Sequence, residues 1–533
     1  MANLFKSIPK PKLRRNTFNL SHEVKLTTDL GRLTPILCEP VVPGDSWKLS
    51  TEVLIRVAPL LAPVMHRVNI YTHFFFVPTR LVWSNWQKFI TGGESGTEEP
   101  AYPKIKLIPS NNDDIKSSSL ADYLGFPTPK GTNVIDSQIA FDALPFRAYQ
   151  LIFNEYYRDE NLMEEVDIKK DVDGLIDDVD YVEDMLSLRN RSWEKDYFTS
   201  ALPWTQRGAE TTIGINRGEA PIIKNPSTAD NAPYFQVANP LSDPLEGNVE
   251  IHNRPNKHLE DSNGDYIWFN PNGSLVADLS NLNITTVNEL RRAIQLQQYK
   301  EVLARSGNRY IELIRGLFGV VSSDARLQRP EFLGGGKTEL QFGEVLQTSE
   351  SSGNSPLANM AGRGVSYGRS HSFKRFFEEH GYIIGIMSVM PKPTYQDGLP
   401  RKFYKFDRLD HYIPQFANIG EQEILNQEIF YNFNNTVPTL QNNETFGYTP
   451  RYAEYKYIPS SVHGDFKGNL DFWHMGREFD STPLLNESFV KMSPEEVSRV
   501  YAVTDVQYDH LWCMLYHNIK ATRPMPKFGV PLI

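Results

Sequence analysis

Residues 375–426 read RFFEEHGYIIGIMSVMPKPTYQDGLPRKFYKFDRLDHYIPQFANIGEQEILN. Their centre, Tyr382 to Met390, is apolar at nearly every position. Side chains alternate between the two faces of a strand. Tyr382, Ile384, Ile386 and Met390 are therefore expected on one face, and Ile383, Met387 and Val389 on the other. A strand apolar on both faces must be covered on both sides. Pro391 and Pro393 stop it, and Gln396-Asp397-Gly398 reads as a turn. Beyond lie Phe403, Tyr404, Phe406, Arg408, His411, Tyr412 and Phe416. A doubly covered strand followed by a long aromatic and polar excursion points to a β core that projects large loops.

Working outward, Trp47, Leu49, Thr51, Val53, Ile55 and Val57 alternate with polar residues, the pattern of a strand with one wet face. Val68 to Phe76 predicts the next strand, stopped at Pro78, and Leu81 to Ile90 a short helix behind it. Residues 94–136 are loop-like, and a helix opened by Pro145 is expected over residues 141–158. Residues 208–283 change texture, dense in Asn, Pro, Gly, Ser and Asp, with Tyr266, Ile267, Trp268 and Phe269 as an apolar exception. This reads as an exposed insertion. Helices are predicted over 287–305, behind a capping box of Thr286 and Glu289, and over 310–318. From Gln341 the β texture returns, with strands expected at 451–458, 500–506 and 511–519. The sum is a mainly β sandwich or barrel with long loops and a few helices.

The chain has 533 residues, 40% hydrophobic and 23% charged, which makes it globular. Two cysteines, neither in a CxxC, give no disulfide framework. The first residues, MANLFKSIPKPKLRRN, have no apolar run and are not expected to be a signal peptide. The net charge of -10 argues against general polyanion binding, yet Lys6, Lys10, Lys12, Arg14 and Arg15 crowd the first fifteen residues with no acid among them. Such a run is a solvated terminus or a flexible arm for nucleic-acid phosphates.

Motifs of chemistry fail on their context. Gly334-Gly335-Gly336-Lys337-Thr338 lacks the earlier glycine of a phosphate loop, since Glu331 holds that position, and reads as a glycine turn. Gly364-Val365-Ser366-Tyr367-Gly368 matches a nucleophile elbow, but a loop-like stretch precedes it. The acidic run over 159–184 lacks the alternating carboxylates and terminal glutamate of a calcium loop. His22, His66, His73, His474 and His510 are dispersed and read as hydrogen-bonding core or interface residues. No catalytic residue, cofactor or metal site is expected. Long aromatic loops are entropically costly unless something buries them, and repeated contacts between copies of one subunit would do so.

Many segments resemble one family, the major capsid proteins of the Microviridae, small single-stranded DNA bacteriophages, most closely the gokushovirus branch. They are FNLSHE (18–23), PGD (43–45), FFVPTRLVWSNW (75–86), LPFRAY (144–149), NEYYRD (154–159) and DYFTSALPW (196–204). RLQRPEFLGG (326–335), EHGY (379–382), GEQE (420–423), FGY (446–448), RYAEYKYIPS (451–460) and LDFWH (470–474) follow in order. The resemblance implies an eight-stranded viral jelly roll with long inter-strand loops. It implies a T=1 icosahedral shell of sixty copies around circular single-stranded DNA, and a threefold protrusion, meeting the host, where residues 208–283 carry no match. On this reading 1–20 is a basic arm, and 21–207 and 284–533 are the two parts of the core. Lys6, Lys10, Lys12, Arg14 and Arg15 are then the candidate DNA contacts, and Tyr266 to Phe269 the candidate host-contact loop. Expected partners are other copies, the genome, internal scaffolding, pilot and small DNA-binding proteins, and a host surface receptor. The virion, and the host bacterial cytoplasm during assembly, are the expected locations. The competing class is a carbohydrate-binding or carbohydrate-active β-sandwich, whose aromatic loops would stack on sugars.

Overall fold

The computed structural model describes residues 14–106, 116–128, 140–209, 287–306, 309–346, 348, 360–433, 438–505 and 508–528, with short strands between 222 and 277. The chain divides into two compact units, Met1–Arg207 with Val302–Ile533, and Gly208–Glu301.

The larger unit is built on nine strands: β1 (Asn16–Asn19), β2 (His22–Thr28), β3 (Thr34–Val41), β4 (Ser46–Val57), β5 (Val68–Pro78), β6 (Glu331–Leu346), β7 (Met360–Phe376), β8 (Gly381–Pro391) and β9 (Leu511–Arg523). β1 and β2 share one edge, pairing with successive parts of β9. Eight positions remain across the sheet, in the order β1/β2-β9-β4-β7-β6-β5-β8-β3, every pair antiparallel. The sheet curls into two halves, β2-β9-β4-β7 and β6-β5-β8-β3, and the chain passes from one to the other at every connection from β2 onward except β5 to β6. That arrangement is the eight-stranded jelly roll. Strand β6 bends from one half to the other: Glu331 to Leu340 pair with β5, and Gln341 to Leu346 with β7.

Alternation fills the space between the halves. Trp47, Leu49, Val53 and Ile55 from β4 meet Leu511, Leu515 and Ile519 from β9, and, from the opposite half, Ile36, Phe74, Ile383, Met387 and Val389. The odd residue in the β4 series is Thr51. It lies 2.9 Å from Nδ1 of His517, whose Nε2 is 3.0 Å from the Ile36 carbonyl. A carbonyl only accepts, so Nε2 carries the proton and Nδ1 accepts from the threonine hydroxyl. One polar chain therefore ties the two halves together through the core.

Strand β8 is covered on both faces. Ile383, Met387 and Val389 belong to the inter-sheet core. Ile384 and Ile386 join a second core, where Phe75 and Val77 of β5 pack with Trp83, Phe146, Tyr149, Ile152 and Phe198 from the connections. Met390 departs from the expected alternation and packs with Ile383 and Met387, at the point where the strand ends at Pro391.

Four local readings are corrected. The helix expected over Leu81 to Ile90 is two short helices, Thr79–Val82 and Trp86–Thr91. Trp83 breaks them in an extended conformation, its buried indole N–H donating to Asp173 at 2.6 Å. The glycine turn at Gly334 to Gly336 is strand β6, opposite β5. A Cβ on Gly335 would sit 2.7 Å from both the His73 ring and the Thr72 carbonyl, so glycine is what lets the two strands meet. The strand expected at 451–458 is a short 3-10 turn, Ala453–Tyr455, entered through Tyr452 in the left-handed region at φ 60°. The strand expected from Val500 to Val506 is the end of the 3-10 turn Pro494–Val500 followed by irregular chain, and Val506 lies outside the described residues. The helices at Val287–Ser306 and Tyr310–Phe318 are present, and residues 141–158 fold as the helix Leu144–Ile152 continued by a π-turn, Phe153–Tyr157.

The smaller unit contains a four-stranded antiparallel sheet, ordered Phe235–Val237, Tyr266–Phe269, Leu259–Glu260, His252–Asn253, and a pair formed by Ile222–Lys224 and Leu275–Ala277.

Candidate assembly and nucleic-acid surfaces

Ionisable groups inside the larger unit are engaged in holding the loops. Glu428 is buried and accepts from Tyr197 Oη at 2.9 Å, the Leu425 amide at 3.1 Å and Arg401 Nη1 at 3.2 Å. Burial raises its pKa, opposed by hydrogen bonds and Arg401. Asp196 caps its own turn through the amides of Phe198 and Thr199 and accepts from Tyr395 Oη at 2.7 Å. Arg477 lies among Trp193, Phe479 and Phe489, with Nε 3.2 Å from Glu496 and Nη2 2.8 Å from the Phe489 carbonyl. These groups knit the aromatic connections to the sheet, as buried polar groups must be satisfied. Nothing in the sequence singled them out, because their partners lie up to hundreds of residues away.

The motifs weighed for chemistry resolve the same way. Ser366 sits inside β7, buried, its hydroxyl donating to the Glu339 carbonyl at 2.8 Å. The strand runs on to Phe376 with no helix after the serine, and it already begins at Met360, within the stretch read as loop. A cleft of about 500 Å³ holds Asp509 and His510. Asp509 is bonded to Arg32 and Thr27, and His510 to Asp29 and the Val503 carbonyl. Burial opposes charge on His510, but the Asp29 and carbonyl contacts outweigh it and raise its pKa. His66, His73 and His474 also bond within the fold, to the Lys392 carbonyl, Tyr157 Oη and the Phe466 carbonyl. In the acidic run, Asp173 accepts from Trp83 and Asn85, and Asp178 from Lys169. Among the described residues no group of three or more His, Cys, Asp or Glu could hold a metal ion.

The larger unit also leaves large apolar side chains exposed. Beyond β8, Phe406 is 89% exposed and Phe403 63%, and farther on Phe433 is 82% and Ile458 84% exposed. Between Phe403 and Phe406 in the chain, Lys405 turns back into the fold, its ammonium 3.6 Å from the Tyr455 ring centre and 2.9 Å from Glu454. After the helix Tyr310–Phe318, Val320 and Val321 are also exposed. Contact with another protein would take these side chains out of water.

Of the basic arm, Lys6, Lys10 and Lys12 lie outside the described residues. Arg14 and Arg15 are exposed, and the Arg15 guanidinium lies 5.3 Å over the ring of Phe376. Tyr266, Ile267, Trp268 and Phe269 form one strand of the smaller unit, with Ile267 opposite both Val237 and Leu259.

Comparison with known proteins accords with this architecture. The family described as "Capsid protein (F protein)" matches residues 6–533. Capsid protein VP1 of Bdellovibrio phage phiMH2K is 36% identical over 537 residues, covering 99% of this chain and 97% of the relative. Capsid protein VP1 of Chlamydia phage 1 is 34% identical, covering 100% and 98%. Capsid protein VP1 of Spiroplasma virus 4 is 31% identical, covering 97% and 95%. A jelly roll with unburied aromatic loops, matched end to end by capsid proteins of gokushoviruses, belongs to the Microviridae major capsid protein family, a structural family and not a class of enzymes.

Proposed function

We propose that this chain assembles as sixty copies into a T=1 icosahedral shell around a circular single-stranded DNA genome, and that the stretch 208–283 is presented outward for host attachment. The observation that carries the shell is the exposure of Phe403, Phe406, Phe433 and Ile458, apolar side chains that a lone subunit leaves in water. Closed point-group assembly covers such side chains on every copy at once. Residues 1–20 act as the DNA-binding arm, through Lys6, Lys10, Lys12, Arg14 and Arg15. Tyr266 to Phe269 supply the host contact, and 21–207 with 284–533 form the shell-building core. Assembly proceeds in the host bacterial cytoplasm with internal scaffolding, pilot and small DNA-binding proteins. Electron microscopy of the expressed chain tests the reading: closed particles about 30 nm across are expected for sixty subunits of this mass. Uniform monomers with affinity for glycans would overturn it in favour of the carbohydrate-binding class.

A further inference from the structure

The two halves of the jelly roll are finished differently on their outer sides. The half containing β5 and β8 is covered by helices and loops. The half β2-β9-β4-β7 turns exposed side chains outward from each of its strands. Strand register sets three lysines side by side there: Lys374 opposite Lys48 across β7 and β4, and Lys520 opposite Lys48 across β9 and β4. All three are exposed. Among the described residues, the outward positions of these strands carry two carboxylates, Glu23 and Glu52. Glu52 is engaged by Arg369 at 3.1 Å and Glu23 by Lys25 at 3.5 Å.

Like charges directly opposite on a sheet face destabilise it. The row spans two inter-strand gaps, about 10 Å, and gains only if an anion lies across it. Farther along the same face come rings. Tyr516 is about 13 Å from Lys520 along β9, and Trp512 about 26 Å, at roughly 3.3 Å per residue. Trp512 is 48% exposed, and Tyr367 on β7 is 63% exposed. At the lysine end, the Arg15 guanidinium rests over Phe376, which pairs with Ser46 two positions beyond Lys48. The root of the basic arm therefore lies beside the lysine row. Lysines and rings spread along one face suit unpaired nucleotides, phosphates on the cations and bases on the rings. Protein interfaces, by contrast, are depleted in lysine.

We propose that the outward face of this half, through Lys48, Lys374 and Lys520 with Tyr367, Trp512 and Tyr516, binds single-stranded nucleic acid. The surface deepens the proposed enclosure of a genome and rests on that reading.

The test uses the full-length chain and a labelled oligothymidylate, titrated at several salt concentrations. Replacing the row by Lys48→Gln, Lys374→Gln and Lys520→Gln should reduce the slope of log affinity against log salt by about 2, from about 0.7 per phosphate contact on single strands. The triple Lys→Arg variant should bind like the parent. Relief of the like-charge row should leave the melting temperature of the glutamine variant equal or higher. Trp512→Ala should weaken binding roughly tenfold. Photocrosslinking of unmodified protein to the oligomer needs no variant and should attach nucleotides at Trp512, Tyr516 or Tyr367. An unchanged salt slope in the glutamine variant, or crosslinks confined to other residues or to another polypeptide, would overturn the proposal. Particle formation by the parent chain is scored separately: particles that form while the slope stays unchanged refute this surface alone.

Discussion

His517 is a histidine in an apolar core, and its behaviour follows from that position. Burial lowers its pKa to about 4, with the neighbouring His22 pushing the same way and the Ile36 carbonyl opposing. The folded state holds it neutral where the unfolded chain, near the ordinary value of about 6.5, takes up a proton. Stability is therefore full above about pH 6.5 and is lost as pH falls toward 4, by up to about 3 kcal/mol from this site. His66, lowered to about 4 chiefly by burial, adds in the same direction. Denaturant melts between pH 7 and 4.5 should show this loss, and His517→Gln should flatten part of it while costing stability at pH 7. Equal pH dependence in the variant would remove His517 as the titrating group. Gly335 makes a second prediction at this scale. A valine there collides with the His73 ring and the Thr72 carbonyl. Gly335→Val should cost about 1 to 3 kcal/mol in a denaturant titration.

At the scale of elements, the strands with strong alternation are legible in the sequence itself. β4, β8 and β9 have one or both faces committed to a core, and burial enforces a period of two on the sequence. The connections were harder because their backbone is set by partners far along the chain. Residues 451–458 are aromatic enough to pass for a strand. Tyr452 instead takes a left-handed conformation, its amide donating to Gln422 Oε1 at 3.0 Å and its hydroxyl to the His411 carbonyl at 3.1 Å. The helix over 81–90 breaks at Trp83 because Asp173, ninety residues on, captures its indole N–H. Trp83→Phe keeps most of the apolar bulk and removes that bond, so a loss of about 1 kcal/mol is expected by thermal or chemical melting. No loss would mean that packing alone fixes the break. The lysine row was invisible for the same reason: positions 48, 374 and 520 become neighbours only through strand register.

At the scale of the whole molecule, the jelly roll and the capsid family were legible because the matching segments run nearly from end to end. The covering of the exposed loops was not, since a subunit does not contain its neighbours. Replacing 208–283 by a short linker should leave particle assembly intact, as judged by electron microscopy, and abolish infection; loss of assembly would make that stretch a contact between subunits. Neutralising Lys6, Lys10, Lys12, Arg14 and Arg15 should weaken genome retention as salt rises, measured by the nucleic-acid content of purified particles. Most directly, covalent footprinting can compare Phe406, Phe433 and Ile458 in assembled particles and in dissociated subunits. The account predicts strong labelling of these residues in the subunit and protection in the particle, and equal labelling in both would contradict it.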